Sequence, residues 1–430
     1  MRSACDRLAS WSVIRSLRLG PTLGALLGLC TAGGCALFFP SGEYVGEGGE
    51  AGGTGEGAGA TTSTGPGGGG VGGSGGGTQP GDAVARVFVA FGDRDKPPEI
   101  PGSFETKVYE VHYADMDAQG VIGDWRSAAS TPLRGQFEMD HVGGALVAYG
   151  RAVDLDGYNR PVSFRAPLGD DGLPTAWTVT VDQATLTYGS RQVVLGPRGG
   201  YLLGGYSSSW PDGNGGTTTR YFETSEFTAI DSATGTMSAR VEGGVMSEPK
   251  RNPGTLVRDG VLYAIGGYGS SPTYKTTVEY SVLDADGLPG AFVGLGELPG
   301  IQVNTTLPLL LPALCADDTH LYVVGGTLSS GSPSDLVLSA PFQSDGSLGE
   351  FTHQTKLPTP LGATRCLVRG EKVYVFGGQG TSERSALVLM NDLTGGGALG
   401  SAWDTTTNRA LPYARSGAAV ALVPLGASAN

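Results

Sequence analysis

GTLVRDGVLYAIGG, residues 254–267, decides the fold. GTLVRDG is a short strand ending on the turn pair Asp259-Gly260, and VLYAIGG is a second apolar strand stopped by two glycines. After a loop come TTVEYSVLD (276–284), the turn Ala285-Asp286-Gly287 and AFVGLGELP (291–299), so this stretch predicts a four-stranded meander. The apolar run into glycine recurs as RVFVAFG (86–92), ALVAYG (145–150), YLLGG (201–205), LYVVGG (321–326) and VYVFGG (373–378). Gly92, Gly150, Gly204, Gly266, Gly325 and Gly377 are separated by 58, 54, 62, 59 and 52 residues, the length of a four-stranded propeller blade. Six copies in register predict one all-β ring occupying residues 82–430. In the first two copies a single glycine is followed by Asp93 or Arg151.

A second regularity supports the register. Glycine is followed five residues later by an aromatic at Gly120/Trp125, Gly172/Trp177, Gly287/Phe292 and Gly346/Phe351, and six later at Gly397/Trp403. The third copy has Arg240 where the ring is expected after Gly235. In the regular copies the glycine supplies a left-handed turn residue and the ring packs between blades. The strand-ending glycine pair and the turn-to-aromatic spacing are together similar to the kelch repeat. That resemblance covers about residues 84–424 and implies a six-bladed kelch-type β-propeller related to the central domain of galactose oxidase, with the first strand of each blade innermost. The first copy begins at its second strand, so the C-terminal segment Ser416–Pro424 is expected to supply the missing inner strand and close the first blade.

Before the repeats lie two segments of different composition. Arg2, Arg7, Arg15 and Arg18 precede an apolar stretch from Leu19 to Ala36, which reads as a bacterial signal peptide over residues 1–34. Ala32-Gly33-Gly34-Cys35 resembles the lipobox of bacterial lipoproteins and implies lipidation at Cys35, with Ala36 pointing to the outer membrane or cell surface. Plain secretion and an uncleaved anchor are the alternatives. Residues 35–81 read as a glycine-rich tether, because 20 of the 40 positions from 42 to 81 are glycine and no apolar periodicity is present. The net charge of −13 argues against a nucleic-acid partner. The membrane is then reached only through the lipid anchor, and a monomer is expected. Cys315 and Cys366 fall in strands of neighbouring blades and read as two buried thiols.

Catalytic and metal-binding patterns are weak. His112, His141, His320 and His353 are not spaced as metal pairs, and the copper site of galactose oxidase cannot be placed on this chain. The Asp-x-Asp pairs Asp115/Asp117, Asp154/Asp156 and Asp284/Asp286 read as turn chemistry. No catalytic residue, metal or cofactor is assigned. The best binding candidates are positional: Arg134, Arg191, Arg251, Arg365 and Arg415 each stand just ahead of an inner strand, which would bring them to one mouth of the central channel. There they would meet an anionic ligand or hydrogen-bond loop carbonyls of a neighbouring blade. Loops on the same face carry Tyr158, Tyr206, Trp210, Tyr268, Tyr274 and Tyr413, of which Tyr206, Trp210 and Tyr268 join the binding set. The expected role is a binding module for protein or carbohydrate at the cell surface. The alternative is a carbohydrate-active propeller resembling kelch-type sialic acid mutarotases, for which Glu248, Glu138 or His141 would have to act as acid or base.

Overall fold

The computed structural model describes residues 83–94, 108–152, 160–182, 191–211, 216–269, 275–299 and 309–425. The expected signal segment, Cys35, the tether, Tyr158 and Tyr274 lie outside these. The described residues contain no helix and form six blades of a propeller. Blade 2 is Gly135–Val142, Ala145–Ala152, Arg160–Pro167 and Thr178–Val181, and blade 3 is Gln192–Gly196, Gly199–Leu203, Thr224–Ala229 and Val241–Val245. Blade 4 is Gly254–Arg258, Val261–Ile265, Thr277–Val282 and Val293–Glu297, and blade 5 is Ala313–Ala316, His320–Val324, Val337–Pro341 and Thr352–His353. Blade 6 has three strands, Arg365–Arg369, Lys372–Phe376 and Val388–Asp392, with a Met390–Asp404 bridge in place of the fourth. Each inner strand touches the next, and that of blade 6 touches that of blade 1, so the ring is closed.

Blade 1 is built from both ends of the repeat region. Ala419–Pro424 lies innermost, followed by Ala83–Ala90, His112–Asp117 and Arg126–Ser127. The closing register runs antiparallel from Ala85 opposite Pro424 to Ala90 opposite Ala419, as the missing first strand predicts. Ala419, Ala421 and Val423 point into the same core as Phe137 and Phe164 of blade 2.

The glycine pairs are stitches between blades. A Cβ on Gly204, Gly266, Gly325 or Gly377 would come within 1.8, 2.3, 2.2 and 2.5 Å of the carbonyl oxygens of Lys250, Leu309, Leu361 and Arg415. The following glycine donates its N–H to that same carbonyl at 2.7–2.9 Å in all four cases. Each accepting residue stands four positions ahead of the next inner strand, so the pair joins one blade to the next where no side chain would fit. Both members adopt positive φ, the left-handed region where glycine alone is unstrained.

The first copy corrects the sequence reading by one residue. Phe91 (φ 59°) and Gly92 (φ 89°) hold the two left-handed positions, so Gly92 is the second member of its pair. An aromatic three residues ahead of the pair confirms this register: Tyr201, Tyr263, Tyr322 and Tyr374 match Phe88, all buried. Tyr201, Tyr263 and Tyr374 donate their hydroxyls at 2.7–2.9 Å to the carbonyls of Gly287, Gly346 and Gly120 in the following blade. The turn glycines thus receive a neighbour's tyrosine. Blade 2 departs further, because its second strand continues in extended form through Gly150 and Arg151 to Ala152.

The outer aromatics face the preceding blade. The indole N–H groups of Trp125, Trp177 and Trp403 donate to the carbonyls of Arg409, Ala129 and Thr355. Arg240, the exception in the third copy, makes the same link by charge, with Nε 2.6 Å from Asp182 and Nη1 2.8 Å from Glu226.

Cys315 and Cys366 are joined in a disulfide, which overturns the expectation of two buried thiols. Their inner strands converge near the axis, bringing the Cα atoms to 5.6 Å, well inside the bridging range. The bond closes a loop of 51 residues across the seam of blades 5 and 6, for which the chain-entropy account gives about 4 kcal/mol. Replacing both cysteines by serine is expected to lower the melting temperature by roughly 5–10 °C. Peptide mapping without reductant should recover the linked Cys315–Cys366 fragment; two free thiols there would show that the strands sit farther apart.

Candidate functional site

In a four-stranded antiparallel meander the 2–3 connections and the links to the next blade leave on one face. That loop face carries the residues ahead of each inner strand and those after each glycine pair. The five arginines reach it in different ways. Arg191 and Arg415 are buried within the ring, 1% and 0% exposed. Arg191 places Nη1 2.6 Å from Glu226 and donates Nη2 to the Leu202 carbonyl. Arg365 donates Nε to the Ala418 carbonyl of blade 1 and Nη2 to Glu138 of blade 2, spanning the inner strand between them. Arg134 lies 5.8 Å from the Tyr109 ring.

Arg251 has the most distinctive setting. Its guanidinium sits 4.8 Å from the ring centres of both Tyr206 and Tyr268. Tyr221 completes the cluster, 5.9 Å from Tyr206 and 6.0 Å from Tyr268. All four side chains are half-buried. The strands Tyr206–Pro211 and Thr217–Tyr221 form a hairpin that lifts Tyr206 and Tyr221 off blade 3, while an Arg251–Tyr268 bridge holds the partner across blade 4. Trp210 belongs to the same hairpin, its backbone paired with Thr218. Burial and the neighbouring phenols raise the Tyr221 hydroxyl pKa, against the opposing pull of Arg251. Arg251, Tyr206 and Tyr268 were legible from the sequence as separate candidates. Tyr221 was not, because its partnership depends on the hairpin.

A comparison between blades isolates Arg415. Lys250 and Arg415 both precede their inner strands by four residues and both supply a stitched carbonyl. Lys250 is buried against Glu279, with Nζ 2.5 Å from the carboxylate. In the third strand of blade 1 the place of Glu279 is taken by His112, whose Nδ1 lies 3.2 Å from the Arg415 guanidinium. Burial, reinforced by Arg415, lowers the His112 pKa to about 4 and keeps the ring neutral at pH 7. Burial likewise lowers Arg415 to about 10, although Glu110 and Tyr413 oppose it.

The three acid–base candidates differ in setting. Burial pushes the Glu138 carboxyl up, with Arg365 pulling it back, and Asp140, two residues along the same inner strand, is also raised by burial. Burial works to raise Glu248, but its bonds to Lys275 and Thr277 prevail and hold it below its usual range. His141 is half-buried in that inner strand, its N–H donated to Asp140. The Asp284 carboxylate accepts the N–H groups of Asp286 and Leu288, which is turn chemistry. Among the described residues no three of His, Cys, Asp and Glu gather as a metal would require.

No family model and no curated protein matches the sequence. Among solved structures, one described as "Structure of YjhT" aligns with a TM-score of 0.49 at 10% identity, covering 74% of this chain and 97% of that chain.

Proposed function

We propose that this chain is an exported propeller, held at the outer face of a bacterial envelope through Cys35, whose loop face binds protein or glycan ligands. The observation that carries the reading is the Arg251 cluster. A cation between two phenol rings, with a third beside them, offers both charge and flat apolar surface at a half-open position. Arginine flanked by tyrosines is the composition of recognition surfaces. The Cys315–Cys366 disulfide supports export, because such bonds persist in oxidising compartments. The kelch-type character of the repeats accords with an interaction role.

The test is ligand capture from a glycan array and from solubilised envelope by the full chain. The Arg251→Ala/Tyr206→Ala variant is expected to lose at least ten-fold in capture, with its melting temperature changed by no more than a few degrees. Undiminished capture by that variant would move the ligand elsewhere.

A second reading, a carbohydrate-active enzyme, is favoured by Glu138. It is a carboxyl raised by burial, faced by Arg365 across the inner strand of blade 1 and accompanied by Asp140. Chemical conversion of a captured sugar, lost in Glu138→Gln, would select it.

A further inference from the structure

The outer seam between blades 4 and 5 stands open where its neighbours are shut. In the seam before it, the Gly244 N–H of blade 3 donates to the Pro289 carbonyl of blade 4 at 2.8 Å. A Cβ on Gly244 would fall 1.6 Å from the Gly290 carbonyl oxygen, so the two blades are flush there. In the seam after it, the Gln354 side-chain oxygen accepts the Leu399 N–H at 3.0 Å and the Thr355 hydroxyl donates to the Gly400 carbonyl at 2.6 Å. Between blades 4 and 5 the corresponding residues are Gly296 and Leu348. Glu297 pairs with Thr277 as Val245 pairs with Thr224, and Leu348 and Pro289 each follow a turn glycine by two residues. No hydrogen bond joins Gly296 to Leu348, and a Cβ on Gly296 would meet nothing within 4 Å. Leu295 stands where blade 3 has Gly243, whose Cβ would already lie 3.0 Å from the Pro289 ring. Phe351 takes the place of the tryptophans that donate across other seams and has no N–H to give. The result is a cavity of about 200 Å³ walled by Val278, Leu295, Glu297, Leu348, Glu350 and Phe351. Its apolar walls continue the core of blades 4 and 5, while Glu297 and Glu350 are exposed and mark its mouth.

We propose that an extended, basic segment of a partner polypeptide adds to the outer strand of blade 4, seating one apolar side chain in this cavity with a lysine two residues away. Val293–Glu297 is the outermost strand of its blade, and its outer edge pairs with no strand among the described residues. Strand addition to such an edge takes affinity from the main chain and specificity from pockets for alternate side chains. Successive side chains of a strand point to opposite faces, so the partner residue opposite Leu295 shares the face that opens on the cavity. The partner residue two positions along lies opposite Glu297, which lines the same cavity, and Glu350 meets it from blade 5. Apolar walls below a rim of two carboxylates thus ask for an apolar anchor flanked by cations. The chain's net charge of −13 draws such a segment in. This surface uses none of the residues of the loop-face cluster and is a second site.

The probe is the blocked peptide Thr-Lys-Thr-Leu-Thr-Lys-Thr, titrated calorimetrically into the full chain. Its lysines flank the leucine at both two-residue positions, so it serves either strand direction. Saturable binding weakened by salt is expected. Replacing the peptide's leucine by serine should cost about ten-fold in affinity or more. Thr-Thr-Lys-Leu-Lys-Thr-Thr has the same composition but turns its lysines to the other face, and should lose about five-fold or more. On the protein, Leu295→Trp fills the cavity and should abolish binding. Glu297→Gln/Glu350→Gln changes only exposed side chains and should cost about ten-fold, with the melting temperature held within a few degrees. No binding of the first peptide by the wild type would overturn the proposal. Equal binding of the serine peptide, or binding undiminished by Leu295→Trp, would overturn the cavity as the anchor. Equal binding of the rearranged peptide would overturn strand addition, and undiminished binding by the glutamine variant would overturn the role of the two carboxylates. Neither variant alters the Arg251 cluster, so capture at the loop face is decided separately.

Discussion

Deleting residues 415–430 is expected to abolish the cooperative unfolding transition of the propeller. The deletion removes the whole inner strand of blade 1, whose paired residues run from Ala419 to Pro424. It exposes the buried edge of Ala83–Ala90 and removes Ala419, Ala421 and Val423 from the core shared with blade 2. It also removes the Arg415 carbonyl that accepts the Gly378 N–H, opening the seam to blade 6. Several ladder hydrogen bonds at about 1 kcal/mol each, added to the lost apolar burial, approach the 5–15 kcal/mol that holds a domain together. Thermal melts followed by near-ultraviolet circular dichroism would show the loss. A truncated chain melting within a few degrees of the intact one would mean that the ring does not depend on this strand.

The second large effect concerns Lys250 and Glu279, an ion pair with both side chains fully buried. Lys250 also donates to Thr277 Oγ1 at 2.8 Å, and Glu279 also accepts the Ser247 N–H at 2.6 Å. Replacing either partner alone strands a charge in the interior, and Lys250→Met or Glu279→Leu should each cost about 3–5 kcal/mol. The double variant, with two apolar side chains of similar size, should recover most of that loss. Urea unfolding of the four proteins gives the coupling energy directly. If the two single losses simply add, the pair is not coupled in the way its geometry requires. Blade 1 already resembles one of these single variants, since Arg415 faces a neutral His112 where Lys250 faces Glu279.

The propeller was legible because its signals are local and repeated. A strand ending in glycine needs only its own seven residues to be recognised, and six copies fix the ring. The closing strand followed from a count of what the first copy lacked. Phe91 hid its register because a large residue occupies a left-handed position that glycine fills elsewhere. The Cys315–Cys366 bridge depends on how closely two inner strands converge, a distance that spacing along the chain does not encode. The site was legible only as a list of residue types. Arg251, Tyr206 and Tyr268 do meet, but Arg191 and Arg415 turn inward, and the direction an arginine takes at the end of a strand depends on what its neighbours leave open.

Blade 1 joins residues 331 positions apart, as in the Val89–Val420 pair. At a synthesis rate of about 5–20 residues per second, its early strands wait on the order of 20–60 seconds for their partner. Throughout that interval the nascent wheel has a bare β-edge and no clasp. A chain emerging from a ribosome therefore cannot finish folding before Ala419–Pro424 is delivered, and it stays threadable until then.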